Sequence, residues 1–162
     1  MKLYEDGIID LDQPIGNYLS EFQGSNKEQI TIRALLSHNA GLRSYVPFWQ
    51  QIINSEYMDV FYYQTGEDEQ NDRRSYSLRP DPQMLDTLNH WIIDSKLITT
   101  DSLPSYRYSD IGFMILHQLV SEVSQQPMDE FLFENFYEPL GLKRICFNPM
   151  DHGFERFEIA PT

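Results

Sequence analysis

The chain has 162 residues, of which 41% are hydrophobic and 14% aromatic, and its formal net charge is −13. A chain of this size buries about two-thirds of its unfolded surface on folding, so we expect one folded domain over residues 1–162 rather than disorder. The negative charge argues against nucleic acid or an anionic membrane surface as a partner, because both would repel it. The single cysteine excludes an internal disulfide, and no apolar run has the length of a transmembrane segment.

The first third of the chain is predicted to contain short helices separated by turns. Residues 1–6 have the pattern of the end of a helix, which stops at Gly7 because glycine readily adopts the left-handed conformation. Residues 10–14 are predicted as a turn, followed by a short helical piece over 14–19. A further helix is capped by Thr31 and runs to about residue 37, and Gly41 ends this unit. The side chains expected to face inward from it are Ile32, Leu35 and Leu36.

The middle of the chain is ambiguous and then becomes polar. Residues 48–57 fit one face of a helix, whereas residues 57–63 also fit a strand. The charge-rich stretch 65–80 is predicted to be an exposed loop. Asp81 followed by Pro82 is a helix start signal. The predicted inward face of that helix comprises Met84, Leu85, Leu88, Trp91 and Ile92.

The most regular helical pattern runs from Asp110 to about Ser124. Its predicted buried face, at a period near 3.6 residues, comprises Ile111, Met114, Ile115, Leu119, Val120 and Val123. Another helix is expected to begin at Pro127, and little regular structure is expected after Lys143. Its inward side chains are predicted to be Met128, Phe131, Leu132 and Phe136.

The residues before the long helix are the candidate functional site. Either Ser109 or Asp110 can cap the helix, because both side chains accept hydrogen bonds from free backbone N–H groups. Tyr108 precedes them, so a phenol, a hydroxyl and a carboxylate stand side by side on a rigid support. Taken alone, these three residues fit a half-buried aromatic and an ordinary cap better than a catalytic site.

Three segments in order resemble the serine β-lactamase-like hydrolases, notably the class C type and its penicillin-binding-protein and esterase relatives. Residues 108–110 (Y-S-D), followed by a helix and then E-P-L-G-L at 138–142, resemble the Tyr-Ser-Asn segment of that family. Residues 30–42 (I-T-I-R-A-L-L-S-H-N-A-G-L) are similar to its T-I-x-x-L-L-T-H-T-S-G-L segment. Residues 7–15 (G-I-I-D-L-D-Q-P-I) are similar to its G-x-L-x-L-D-D-P-V segment.

The resemblance implies a mainly α chain, the helical subdomain of the β-lactamase/transpeptidase-like fold, with the sheet portion missing. Acyl transfer in this family needs a Ser-x-x-Lys nucleophile motif and a closing strand motif of the Lys-Thr-Gly or His-x-Gly type. No lysine here has a serine three residues before it, and the closing motif is absent as well. We therefore expect a fragment that begins after one catalytic motif and stops before another, and that is inactive alone.

The resemblance also assigns roles to the candidate site. It makes Tyr108 the general base or proton shuttle, with Ser109 and Asp110 beside it as the catalytic set. An unperturbed phenol is only about one part in a thousand ionised at pH 7, so this role depends on neighbouring lysines. Asp110 departs from the usual asparagine, since a carboxylate cannot donate to a substrate carbonyl. This departure puts β-lactam binding in doubt and leaves ester or peptide hydrolysis open.

The other candidate residues favour structural roles. His38 is expected to be a hydrogen-bonded residue of a tight turn rather than a base or ligand. The remaining histidines lack metal-ligand spacing, and residues 67–69 lack the order of a calcium loop, so we predict no metal site and no cofactor.

Two functional hypotheses follow. The first is a fragment of a serine hydrolase whose partner is the missing remainder of its own domain, exported to the periplasm or cell surface as the resemblance implies. The second is a stand-alone, non-catalytic interaction module on the same helical scaffold. For the fragment, we expect either self-association through the uncovered helix faces or a rearrangement of its segments that covers them.

Overall fold

The structure, a computed structural model, describes residues 1–53, 62–64, 78–80, 82–98 and 106–159. Within them the chain is mainly helical, as predicted. The α-helices are α1 Lys2–Glu5, α2 Ile32–Leu36, α3 Phe48–Ile53, α4 Pro82–Asp94, α5 Asp110–Ser124 and α6 Met128–Leu132. A π-helical turn over Phe133–Tyr137 continues α6. The 3₁₀ turns are Ile15–Asn17, Ser20–Phe22, Pro149–His152 and Arg156–Glu158.

The structure corrects the end of the stretch 65–80, which was predicted to be a loop. Strand β1 (Tyr62–Gln64) pairs antiparallel with β2 (Leu78–Pro80), and Tyr63 lies opposite Arg79. The last three residues of the stretch predicted as loop, 78–80, are therefore in a sheet ladder, because β1 supplies the hydrogen-bonding partners that a local pattern does not reveal. Residues 65–77 lie outside the described part of the chain.

Three helix signals predicted from the sequence are confirmed by geometry. Gly7 follows α1 with a φ of 71°. The Thr31 hydroxyl accepts from the backbone N–H of Ala34 at 3.2 Å, so it caps α2. Helix α5 begins at Asp110 with Ser109 as its cap, which decides between the two candidate cap residues.

The N-terminal segment is tied to α2 by the backbone. Arg33 N donates to Leu11 O at 2.8 Å, and Ile15 N donates to Ile30 O at 2.8 Å. The Arg33 guanidinium also makes a bidentate pair with the exposed Asp12 carboxylate, at 2.7 and 2.9 Å. These bonds fix the position of α2 and of the turn that follows it.

The core lies between the N-terminal segment, α2, α4 and α5. Helix α5 approaches α2 closely at Gly112, where a methyl group would lie 3.6 Å from Leu42 Cδ1 and 3.8 Å from Leu35 Cδ2. The most deeply buried apolar side chains are Ile15, Phe22, Ile32, Leu35, Ile92, Ile111, Ile115 and Leu119. Among the described residues, no helix has the length and apolar character needed to cross a bilayer.

Four side chains predicted to face inward are exposed. Met114 is 42% exposed and Leu85 is 54% exposed, and Leu36 is exposed as well. Each follows or precedes a buried residue in the sequence and therefore points about 100° away from it around the helix axis. That rotation takes the side chain outside the apolar face that packs into the core. Phe136 is exposed because it lies in the π turn, whose wider spacing departs from the 3.6-residue period.

One buried lysine joins the N-terminal segment to the end of α4. Lys27 Nζ donates to Ile93 O at 2.9 Å, to Ser95 O at 2.5 Å and to Asn26 Oδ1 at 2.9 Å. Burial lowers the pKa of Lys27 to about 8, partly opposed by the charge of Asp94. The ammonium group thus satisfies carbonyls that the helix end leaves unpaired.

Candidate functional site

The candidate site is built on residues 106–110, which we call the Tyr108 segment. Its backbone is hydrogen-bonded to the turn after α2 rather than to its own neighbours. Arg107 N donates to His38 O at 2.9 Å, and Asp110 N donates to Ser44 O at 3.2 Å. Ser109 N donates to His38 Nδ1 at 3.2 Å. These three contacts therefore fix the path by which the chain enters α5.

Ser109 anchors this segment. Only 2% of the residue is exposed, and its Oγ donates to Arg43 O at 2.6 Å. The same oxygen accepts from Gly112 N at 3.4 Å, which is the capping bond of α5. The hydroxyl is fully engaged with the backbone, so the structure places Ser109 within the predicted set as a buried anchor.

Tyr108 presents its phenol to solvent. The residue is 57% exposed, and its ring lies 4.6 Å from the His38 ring, centroid to centroid, at an interplanar angle of 44°. A hydrogen bond with the Asp110 side chain, together with its charge, raises the pKa of Tyr108. The phenol of Tyr108 thus keeps its proton at neutral pH.

His38 is the centre of an aromatic group around the Tyr108 segment. Its ring also lies 5.9 Å from Tyr106, edge to face, and 5.3 Å from Phe113 on the first turn of α5. Its backbone has a φ of 56°, a left-handed conformation in which histidine is one of the more frequent residues. The expectation of a hydrogen-bonded histidine in a tight turn is confirmed.

Sequence reasoning missed the partners of the Tyr108 segment. The Arg43 and Ser44 carbonyls are backbone atoms, so no side-chain pattern marks them. The His38–Ser109 bond spans 71 positions, which is beyond the reach of local periodicity. The only signal was indirect, because both ends of this bond lie in motifs that carry the family resemblance. Among the described residues, no group of three or more His, Cys, Asp or Glu side chains is arranged to hold a metal ion.

This arrangement of helices is that of β-lactamases and penicillin-binding proteins. A penicillin-binding protein homologue from Pyrococcus abyssi, which is octameric, matches with a TM-score of 0.60 at 21% identity. The match covers 96% of this chain and 31% of that protein. At this level of identity the likeness shows the fold, which in this chain is represented by its helical part.

The Beta-lactamase family model matches residues 1–162, and the chain belongs to that family. It is 26% identical over 167 residues to an N-acetylmuramyl-L-alanine amidase of Bacillus subtilis strain 168, covering 99% of this chain and 32% of the relative. It is 29% identical over 167 residues to an Escherichia coli O157:H7 protein provisionally named a D-alanyl-D-alanine carboxypeptidase, covering 99% and 33%. The chain spans about a third of the length of these relatives.

Proposed function

We propose that this chain is the helical part of a serine hydrolase and supplies Tyr108 as the proton relay of its active site. The observation that carries the proposal is the exposed Tyr108 phenol on a segment pinned by His38 and Ser109. In the proposed reaction a serine from the remainder of the domain attacks the substrate carbonyl. Tyr108 accepts the serine proton and later returns it to the leaving group.

The electrostatics of the site define what the remainder must contribute. Asp110 raises the pKa of Tyr108, so the phenol retains its proton in this chain. A positive charge close to the hydroxyl favours the phenolate, and with such a charge beside it Tyr108 can act as a base. The sequence has no Ser-x-x-Lys, so both the nucleophile and that lysine come from outside it.

The proposed substrate is an amide or ester that contains alanine. The two relatives carry names that refer to bonds at alanine, in an N-acetylmuramyl-L-alanine amidase and in a D-alanyl-D-alanine carboxypeptidase. Asp110 supports the same choice, because its carboxylate accepts hydrogen bonds but does not donate one to a β-lactam carbonyl. An amide or ammonium donor on a peptide substrate suits that carboxylate.

The experiment compares the isolated chain with a polypeptide that joins it to the rest of a family domain. The isolated chain is expected to turn over neither a p-nitrophenyl ester nor a D-alanyl-D-alanine peptide, because it lacks the nucleophile. In the joined protein Tyr108→Phe is expected to lower kcat by about two orders of magnitude or more, as for loss of a general base.

Tyr106→Phe is the matched control, since Tyr106 is also exposed in the same segment, and it should leave kcat within about twofold. An unchanged kcat in a folded Tyr108→Phe protein would remove Tyr108 from the mechanism. Turnover by the isolated chain would overturn the proposal that it is catalytically incomplete.

A further inference from the structure

The turn after α2 and the Tyr108 segment meet through one side chain. His38 Nδ1 accepts from the Ser109 backbone N–H, and its carbonyl accepts from Arg107 N. The residues on both sides of Tyr108 are therefore bonded to a single residue. Tyr108 itself lies over the His38 ring, at 4.6 Å between centroids.

From this geometry we infer that His38 is a positioning residue for Tyr108, acting through the hydrogen bond that its Nδ1 accepts from Ser109 N. This inference rests on the proposed function of Tyr108 as the proton relay. Because His38 holds the backbone on either side of the tyrosine, the point from which the phenol extends is fixed relative to Asp110. His38 takes no part in proton transfer itself.

The backbone of His38 supports this assignment. A φ of 56° is uncommon for any residue other than glycine, although histidine is among those found there more often, and such a conformation is kept where surrounding contacts favour it. The conformation directs the imidazole at the Ser109 amide and its carbonyl at the Arg107 amide. A glycine would adopt the turn more easily but would supply no acceptor for Ser109.

The ring contacts alone do not account for the arrangement. Three aromatic rings, those of Tyr106, Tyr108 and Phe113, surround the imidazole at centroid distances between 4.6 and 5.9 Å. A phenylalanine would make the same contacts, yet it would leave the Ser109 N–H without an acceptor. The acceptor nitrogen is thus the feature that distinguishes a positioning role from aromatic packing.

A pair of substitutions separates these two roles on the chain itself. In His38→Asn the side-chain oxygen occupies nearly the position of Nδ1, and asparagine tolerates the positive φ, but the ring is lost. In His38→Leu both the ring and the acceptor are lost and the positive φ is disfavoured, so the comparison with His38→Asn, which loses the ring alone, tests the acceptor. His117→Leu is the control, because His117 is an exposed histidine on α5 away from this segment.

Two signals report on the bond directly, and neither requires enzymatic activity. One is hydrogen exchange of the Ser109 amide, and the other is titration of the Tyr108 phenol followed by ¹³C NMR and assigned with Tyr108→Phe. We expect His38→Leu to accelerate Ser109 exchange about tenfold and to move the pKa of Tyr108 back toward its ordinary value. His38→Asn and His117→Leu should retain both signals.

Each outcome decides the inference. A folded His38→Leu chain with unchanged exchange and an unchanged Tyr108 titration overturns it. If His38→Leu does not fold, His38→Asn decides alone, since loss of both signals in that folded variant contradicts the acceptor role and retention supports it. If the role of His38 is contradicted, the expected effect of Tyr108→Phe on kcat still stands, so the two proposals are tested separately.

Discussion

At Tyr108 the neighbouring Asp110 side chain opposes ionisation. Its hydrogen bond with the phenol favours the protonated form, and its negative charge would repel a phenolate, so both raise the pKa of Tyr108. The family's usual asparagine would lack that charge. The substitution therefore changes the acidity of the residue that we propose as the relay, and does so without altering the cap, which Ser109 supplies.

Replacing Asp110 with asparagine should lower the pKa of Tyr108 toward its ordinary value near 10, since both the charge and the accepting carboxylate are removed. The thermal midpoint should change little, because the capping bond from Ser109 remains. Titration of the Tyr108 ¹³C signal is the measurement, and Asp129→Asn, an exposed acid in the first turn of α6, is the control. A large loss of stability would instead show that Asp110 acts mainly on the helix.

The sequence was enough to locate the residues of the site, but not to predict the hydrogen bonds that they make. Tyr108, Ser109 and Asp110 were recognisable because a cap, an apolar period and a family motif coincide there. The engagement of the Ser109 hydroxyl with Arg43 O depends on a fold that brings positions 66 residues apart together. No local physical preference encodes that distance.

Among the elements, α4 depends on a residue from a distant segment. Its C-terminal carbonyls at Ile93 and the following Ser95 receive hydrogen bonds from the buried Lys27 ammonium group. Sequence patterns gave the start of this helix, because Pro82 follows an aspartate. They gave no indication of Lys27, because a lysine is usually exposed and its partners here are backbone atoms of residues more than 60 positions away.

We expect Lys27→Met to destabilise the chain by about 1–3 kcal/mol at pH 7, because helix-end carbonyls lose their donor while remaining buried. The pH dependence gives a second signature. The folded pKa of about 8 lies below the ordinary 10.5, so the unfolded chain binds this proton more tightly between those pH values. The contribution of Lys27 to stability is therefore smallest below pH 8 and rises with pH across this window.

Urea unfolding at about pH 7.5 and about pH 9.5, on either side of the Lys27 pKa of about 8, measures this pH dependence of stability. The stability difference between wild type and Lys27→Met should be larger at the higher pH. Lys96→Met, a change at an exposed lysine near the same helix end, should show neither effect. An equal difference at both pH values would show that Lys27 titrates normally in the folded chain.

For the molecule as a whole, the helices leave large apolar side chains uncovered. Leu85 on α4, Phe113 on α5 and Phe133 after α6 are each about half exposed. Contiguous apolar surface of several hundred Å² is unusual on a soluble monomer and marks an interface, and we propose that these three side chains belong to such a surface. The chain also spans about a third of its relatives, which supports the proposal that these faces meet further protein.

We predict that the isolated chain forms small oligomers through these helix faces, with growth limited by its net charge of −13. Sedimentation velocity across a dilution series should show the oligomeric fraction rising with concentration. Leu85→Ser combined with Phe133→Ser should shift the chain toward monomer. Tyr4→Ser combined with Tyr45→Ser, which changes exposed side chains outside these helices, should not. A strict monomer that binds no hydrophobic dye would instead favour the stand-alone interaction module.

The junction between the α2 turn and the Tyr108 segment has a consequence for changes in the length of the chain between them. The chain leaves this junction at Ser44 and returns at Arg107, and four hydrogen bonds hold the departure and return points together. The entropy cost of closing a loop grows only by about 0.6 kcal/mol for each doubling of its length. Length changes in the connections between Ser44 and Arg107 that spare α4, whose Ile92 is buried in the core, should therefore disturb the tyrosine little.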